Sequence, residues 1–351
     1  MKEHVRDFFH LPPGQGHRAP ALRVGAGIAL PLLAVLVAGR LDLSVYVIFG
    51  ALTRVFGRVE PHGLRLKNLA SGGTLMIAAV TTGAAASIAG MNPWSVVAAG
   101  AVLSGTFSIV SDRLGLYPPG PFFHLFAFTT AAGVPCIASL GEVALAALGS
   151  VAVAVLLGVT GGISPRRQGI RCPYAPPHGT SRPMVLARAV LYTVAVGSAG
   201  GVAVTVGLGH YHWAMLAATA PIAAVDIAGA LTRATHSIVG TYVGVALSAG
   251  LLAVDWTPLE LVLLLALLQF AGEVYAVRHG SLALVFLTPV ALMMTAFVVD
   301  TPAHQLIYDR LVETTIGATL AIGCVIVAER LVSRVRTSRT YRTCSAAIGA
   351  P

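Results

Sequence analysis

Apolar residues run along this chain in blocks long enough to cross a bilayer, separated by short polar breaks. The blocks fall at residues 22–39, 42–56, 66–90, 93–111, 121–138 and 141–162, then at 184–208, 211–231, 235–254, 257–276, 280–299 and 310–329. A spanning helix needs about 20 predominantly apolar residues. The pattern therefore predicts an all-α integral membrane protein with about twelve transmembrane helices. The second block is short for a span, which predicts a broken or tilted helix. The long polar stretch from Ser164 to Pro183 is rich in proline and arginine and reads as a linker. It divides the chain into a cytoplasmic N-terminal segment (1–21), a first six-helix repeat (22–162), a linker (163–183), a second six-helix repeat (184–330) and a basic cytoplasmic tail (331–351).

The two halves share signals. The motif GALTR occurs at Gly50–Arg54 and at Gly229–Arg233, each read as closing a second helix. A charged residue stands seven positions before a glycine at Arg65/Gly72, Glu142/Gly149, Arg233/Gly240 and Arg310/Gly317. The first and third of these pairs are offset by 168 residues, and so are the second and fourth. An even number of helices per half makes the halves parallel repeats about an axis along the membrane normal. The shared pattern in the third and sixth helices of each half hints at nested inverted repeats, and such proteins bind substrate near the midplane between repeats.

Composition agrees, with 56% hydrophobic residues, only 11% charged and a mean hydropathy of +0.80. Soluble domains carry about 25% charged residues. The net charge of +9 has a topological reading. With the N-terminus inside, 21 of the 23 lysines and arginines fall on the cytoplasmic side, and only Arg40 and Arg310 fall outside. This is a strong positive-inside signal, placing both termini in the cytoplasm of a multi-pass bacterial plasma-membrane protein. The basic tail then reads as an anchor to anionic membrane lipids, and no nucleic-acid partner is expected. A homo-oligomer is left open.

The cysteines Cys136, Cys172, Cys324 and Cys344 are scattered, which argues against a disulfide framework or a zinc site. No metal and no cofactor is expected. The chain has no GxxxxGK[ST] loop, HExxH or GxSxG. An ATP-driven pump, a zinc protease and a serine hydrolase are thereby excluded, so the protein is not expected to be an enzyme.

The candidate chemistry concentrates between Trp213 and Gly250. Read as two helices, this stretch puts Asp226, Arg233, Thr235 and His236 at their join, with Gly240 and Gly244 on a close-packing face beyond it. Charges in or beside a bilayer usually face a bundle interior or a water-filled path. Arg233 suits a carboxylate, and His236 is the nearby group that switches near neutral pH. Asp226 lies seven residues before Arg233, on the same helical face if the helix is continuous. On the last helix, Arg310, Glu313 and Gly317 share a face by three- and four-residue spacing. A carboxyl one turn inside the bilayer, as Glu313 would be, suits a proton carrier. Glu273 reads as an inner-face residue, His124 as a packed helix histidine, and His210, His212 and Trp213 as an outer interface.

The segments HWAMLAATAPIAA, GALTRATHSIVGTYVGVALSAG, LALVFLTPVALMM and RLVETTIGATLA resemble the fusaric acid resistance family of membrane transporters. GALTRVFGRVEPHGLRLKN in the first half is similar to actinobacterial members. The resemblance implies a two-repeat, ion-driven exporter of aromatic or other organic acids. It carries over to Trp213, Arg233, Gly240 and Thr241, and to Arg310 and Gly317. Many members add a large cytoplasmic domain, whereas the linker here is about twenty residues.

Together these readings predict a secondary transporter of small organic anions. Its anion path would run by Arg233, His236, Trp213, Thr241 and Arg310, and Asp226 or Glu313 would carry the coupling proton. Gly72, Gly149, Gly240, Gly244 and Gly317 would pack the helices. The same features also fit a passive anion channel or a non-transporting scaffold subunit.

Overall fold

The computed structural model describes residues 18–57, 62–160, 181–224, 226–276, 280–299 and 301–348. The N-terminal segment before Arg18 and most of the expected linker lie outside the described residues. Every regular element among the described residues is helical.

Helix α1 spans Arg18–Val37 and is followed by a 3-10 turn at Leu41–Leu43, α2 at Ser44–Leu52 and a second 3-10 turn at Thr53–Gly57. Then come α3 (His62–Ile88), α4 (Pro93–Leu114), α5 (Phe122–Gly133) and α6 (Leu140–Thr160). Beyond the linker, α7 (Arg182–Thr205) leads into two short helices, α8 (His212–Ala217) and α9 (Thr219–Ile222). The chain closes with α10 (Ile227–Leu252), α11 (Pro258–Ala276), α12 (Gly280–Val298) and α13 (Ala303–Ile348). Eight of these, namely α3, α4, α6, α7, α10, α11, α12 and α13, contain stretches long and apolar enough to cross a membrane. The protein is a multi-pass helical membrane protein.

Local chemistry accounts for the helix ends. Asn92 caps α4 by accepting a hydrogen bond from the Ser95 amide at 2.9 Å, with Pro93 in the first turn, where its missing N–H costs nothing. That helix stops at Gly115, whose φ of +68° is one an L side chain rarely adopts. Ser139 with Glu142 and Thr257 with Glu260 form capping boxes at the starts of α6 and α11. Glu142 also receives a hydrogen bond from Arg40 at 2.6 Å. The charge that opens α6 thus serves helix initiation and an ion pair at the bundle end.

Two corrections to the sequence reading follow. The block 211–231 is not one span: α8 and α9 are separate short helices, and Pro221 leaves α9 only one turn. Asp226 begins the next helix, so Arg233, Thr235 and His236 lie inside α10 rather than at a join. The second GALTR accordingly sits in the opening turns of α10, whereas the first ends α2 and enters the following 3-10 turn. Through the basic tail the backbone continues α13 as far as Ile348.

Packing joins the elements before the linker to those after it. In the first set α3 packs on α5 and α6, and α2 on α6; in the second α10 packs on α12 and α13, and α8 with α9 on α13. Each set also exchanges a contact with the other, α4 lying along α7 and α11 along α1. The α4–α7 seam is built from small residues. A Cβ on Gly105 would stand 3.1 Å from the Ala189 carbonyl oxygen, and one on Gly197 would stand 3.2 Å from Ala101 Cβ. In a bilayer, where lipid tails are as apolar as the side chains, such close backbone approach supplies the packing energy. At one end this seam carries an ion pair, Arg188 to Asp112 at 3.3 Å.

Gly72, Gly240, Gly244 and Gly317 all sit at close approaches. A Cβ on Gly240 would lie 2.5 Å from the Ser281 carbonyl oxygen, and one on Gly244 would lie 2.7 Å from Thr288 Cβ. Gly72 faces the Phe56 ring, and Gly317 faces the Ala214 carbonyl. Gly149 is the exception: nothing lies within 4 Å of its would-be Cβ, so it is not a packing glycine. The contact between α2 and α6 is made one residue along, where Gly50 meets Ser150.

Candidate functional site

The site forms where α8, the segment leading into it, and the first turns of α13 meet. Trp213, read from sequence as an interfacial anchor, is instead 1% exposed. The Arg310 guanidinium carbon lies 5.0 Å from its ring centroid. The His210 ring stacks on the indole at 4.8 Å and 17°, and His212 meets it edge-on at 5.4 Å. His210 Nδ1 and Asp309 Oδ2 share a hydrogen bond of 2.8 Å. A cation over an indole away from water is worth about 2 kcal/mol, so Trp213 and Arg310 hold each other in place.

Glu313 lies one turn further along α13 and is fully buried. No side chain hydrogen-bonds its carboxyl oxygens, and the polar group directed at them is the His210 backbone N–H. A buried ionisable group without a side-chain partner is costly and calls for an explanation. Arg310, Glu313 and Gly317 all turn towards α8, the face their spacing predicts. Gly317 lets α13 approach the Ala214 carbonyl, and that approach brings Arg310 over Trp213.

Trp213 also lines a narrow cavity between the two sets of helices. Its walls are Val45 and Phe49 from α2, Phe126 and Thr130 from α5 with Val134 just beyond it, and Ala291, Met294 and Thr295 from α12. Thr130 carries a buried hydroxyl without a partner, whereas the Thr295 hydroxyl donates to the Ala291 carbonyl at 2.9 Å. A second narrow cavity adjoins the first through Val45 and Met294. Leucines, valines and Phe297 line it, with Ser44 its single hydroxyl and no charged group. The chemistry lies with the cavity that Trp213 bounds.

The other expected residues lie elsewhere. Asp226 is exposed and caps α10, its Oδ1 accepting from the Gly229 amide at 2.8 Å. Asp226→Ala is expected to cost about 1 kcal/mol and to lower the melting temperature of the detergent-purified protein, while Asp226→Asn retains most of the stability. Arg233 is exposed in the second turn of α10. Tyr242 on α10 bonds to Thr315 on α13 at 2.9 Å, and the two helices are antiparallel. Counting along each from that contact puts Arg233 and Arg310 roughly 20 Å apart, near opposite ends of the bundle. His236 is half-buried beside Gly280, and Thr241 is buried one turn from Ser237. The structure therefore separates Arg233 and His236 from Trp213 and Arg310. His124 packs between Phe56 and Phe107, each ring 5.1 Å away.

Asp309, Phe49 and Phe126 complete the site and were missed from sequence, and His210 was placed at the interface. The spacing of Asp309 and Glu313, four apart on one helix, was the available signal. No group of three or more His, Cys, Asp or Glu residues that would hold a metal occurs among the described residues.

A half-buried cation, a buried carboxyl and an aromatic-walled cleft thus lie together inside a multi-pass helical bundle. Residues 191–324 match the family described as fusaric acid resistance protein-like. That segment is similar to the family and contains Trp213, Arg310 and Glu313. No curated protein and no solved structure matches the chain.

Proposed function

We propose that this protein is a secondary transporter exporting small organic anions, aromatic acids among them, across a bacterial plasma membrane. Its cavity lies between two six-helix repeats, and both termini are cytoplasmic. The observation that carries this reading is the fully buried Glu313, without a side-chain hydrogen bond, beside Arg310 and behind the Trp213 wall of the cavity. The repeat reading is supported by the matched contacts of the two helix sets, α4 packing on the first helix of the second set and α11 on the first helix of the first.

The roles follow from the chemistry. Phe49, Phe126 and Trp213 offer ring faces and edges to a planar substrate. Arg310 supplies positive charge from behind the indole. An anion about 8 Å from it gains about 2 kcal/mol at an effective dielectric of about 20. Arg233, exposed at the opposite end, draws anions to the inner mouth. Glu313 carries the coupling proton, because a carboxyl removed from water exists readily in its neutral form.

The test is transport in proteoliposomes with benzoate and related aromatic carboxylates under imposed proton gradients. Glu313→Gln is expected to abolish gradient-driven accumulation while benzoate exchange persists. Unchanged proton dependence would return Glu313 to a structural role. Currents that need no proton gradient would instead favour a passive channel.

A further inference from the structure

We propose that Asp309 is the port through which protons reach Glu313, and that His210 is the residue that positions it; this rests on Glu313 being the proton carrier. The geometry is a graded burial from His210, on the segment entering α8, to Asp309 and Glu313 on one face of α13. His210 is 8% exposed, Asp309 3% and Glu313 0%. His210 holds the Asp309 carboxylate through Nδ1 at 2.8 Å, and its ring is fixed by stacking on Trp213. Asp309 and Glu313 are four residues apart, which sets them on the same helical face about 6 Å apart along the axis. Chains of buried carboxyl and histidine groups are the usual means of moving protons into a membrane protein.

The step is a simple exchange. Asp309 takes a proton from water at the α7–α8 end of the bundle, the outer face in the proposed topology. Through an intervening water its carboxyl O–H then gives a proton to the Glu313 carboxylate, and Asp309 is left ionised. The Nδ1–H of His210 stabilises that anion until the next proton arrives.

Among the described residues the polar groups around this pair are few, and the His210 backbone N–H is directed at Glu313. Tyr211 and His212 flank His210 on the segment entering α8, Arg310 and Gln305 lie on α13 itself, and Tyr242 approaches from α10 one turn below. Among the described residues, the ends of α7 and α12 nearest this level and the whole of α9 carry no charged side chain. Arg310 is engaged with Trp213, which leaves Asp309 as the acid between Glu313 and the bundle end.

The experiment needs no substrate. The C=O stretch of protonated Glu313, assigned by its loss in Glu313→Gln, is followed by time-resolved infrared spectroscopy of purified protein after an acid pH jump. If Glu313→Gln removes no such band, the proton-carrier reading fails, independently of the port. If the band is present, Asp309→Asn should slow its appearance roughly tenfold or more while its final amplitude persists. An unchanged rate overturns the port. His210→Gln, which keeps an N–H donor, should hold the rate near that of the parent, and His210→Leu should slow it. This pair decides the matter even if Asp309→Asn does not insert, since equal rates in the two overturn the positioning role.

Discussion

Gly317→Val should prevent α13 from seating against α8 and should produce the largest loss of stability of any single change at the site. The Cβ would collide with the Ala214 carbonyl oxygen and come within 2.8 Å of the Ala217 Cβ. Neither is the free end of a flexible side chain, so the helices must part. Overpacking against movable neighbours costs about 1–3 kcal/mol, and a backbone obstacle puts the cost at the upper end or beyond. Separation also pulls Arg310 away from Trp213, so stability and site geometry should fail together. Gly149→Val is the matched control, because its Cβ enters open space. Thermal melting and size-exclusion profiles in detergent check both. Equal melting temperatures for the two variants would mean that the α8–α13 contact is not what holds this end of the bundle.

Trp213→Leu should remove most transport of an aromatic anion while the fold persists. Leucine still fills apolar space but offers no π face to Arg310 and no stacking surface to His210. Loss of a desolvated cation–π contact of about 2 kcal/mol corresponds to roughly thirtyfold. The cavity also loses one of its aromatic walls. Trp213→Phe should fall between, since a smaller ring keeps a weaker quadrupole. Benzoate flux into proteoliposomes is the measurement. Equal flux in the parent and Trp213→Leu would separate the cavity from the transport path.

The fold was legible wherever local rules dominate. Blocks of apolar residues located most of the long helices to within a few residues, although α10 and α13 begin well before the expected positions, and the short block at 42–56 is a broken element flanked by 3-10 turns. The misreading at Asp226–His236 shows the limit. Four polar residues in apolar sequence resemble a loop, yet Arg233, Ala234, Thr235 and His236 include neither glycine nor proline to end a helix. Asp226 was the true boundary, as a capping side chain ahead of a helical run. The shared face of Arg310, Glu313 and Gly317 was legible because it needs only helical periodicity. The rest of the site was not. His210 and Asp309 are 99 residues apart in sequence, and the cavity draws on helices from both sides of the linker. Such juxtapositions arise from tertiary packing, for which a single chain carries no local signal. Gly149 fails for a related reason: the spacing that marks a glycine does not say which way its face turns.

The exchange of partners between the two helix sets bears on how the protein is made. The first helix, α1, rests on α11, and Gly25 approaches Ala266. Ribosomes add about 5–20 residues per second, so α1 waits on the order of tens of seconds before that partner is synthesised. During this interval its glycine-bearing face is open to lipid and to any neighbouring helix. Assembly of the amino-terminal half is thus completed by the carboxy-terminal half, and a chain released early leaves the membrane holding a helix whose mate never arrives.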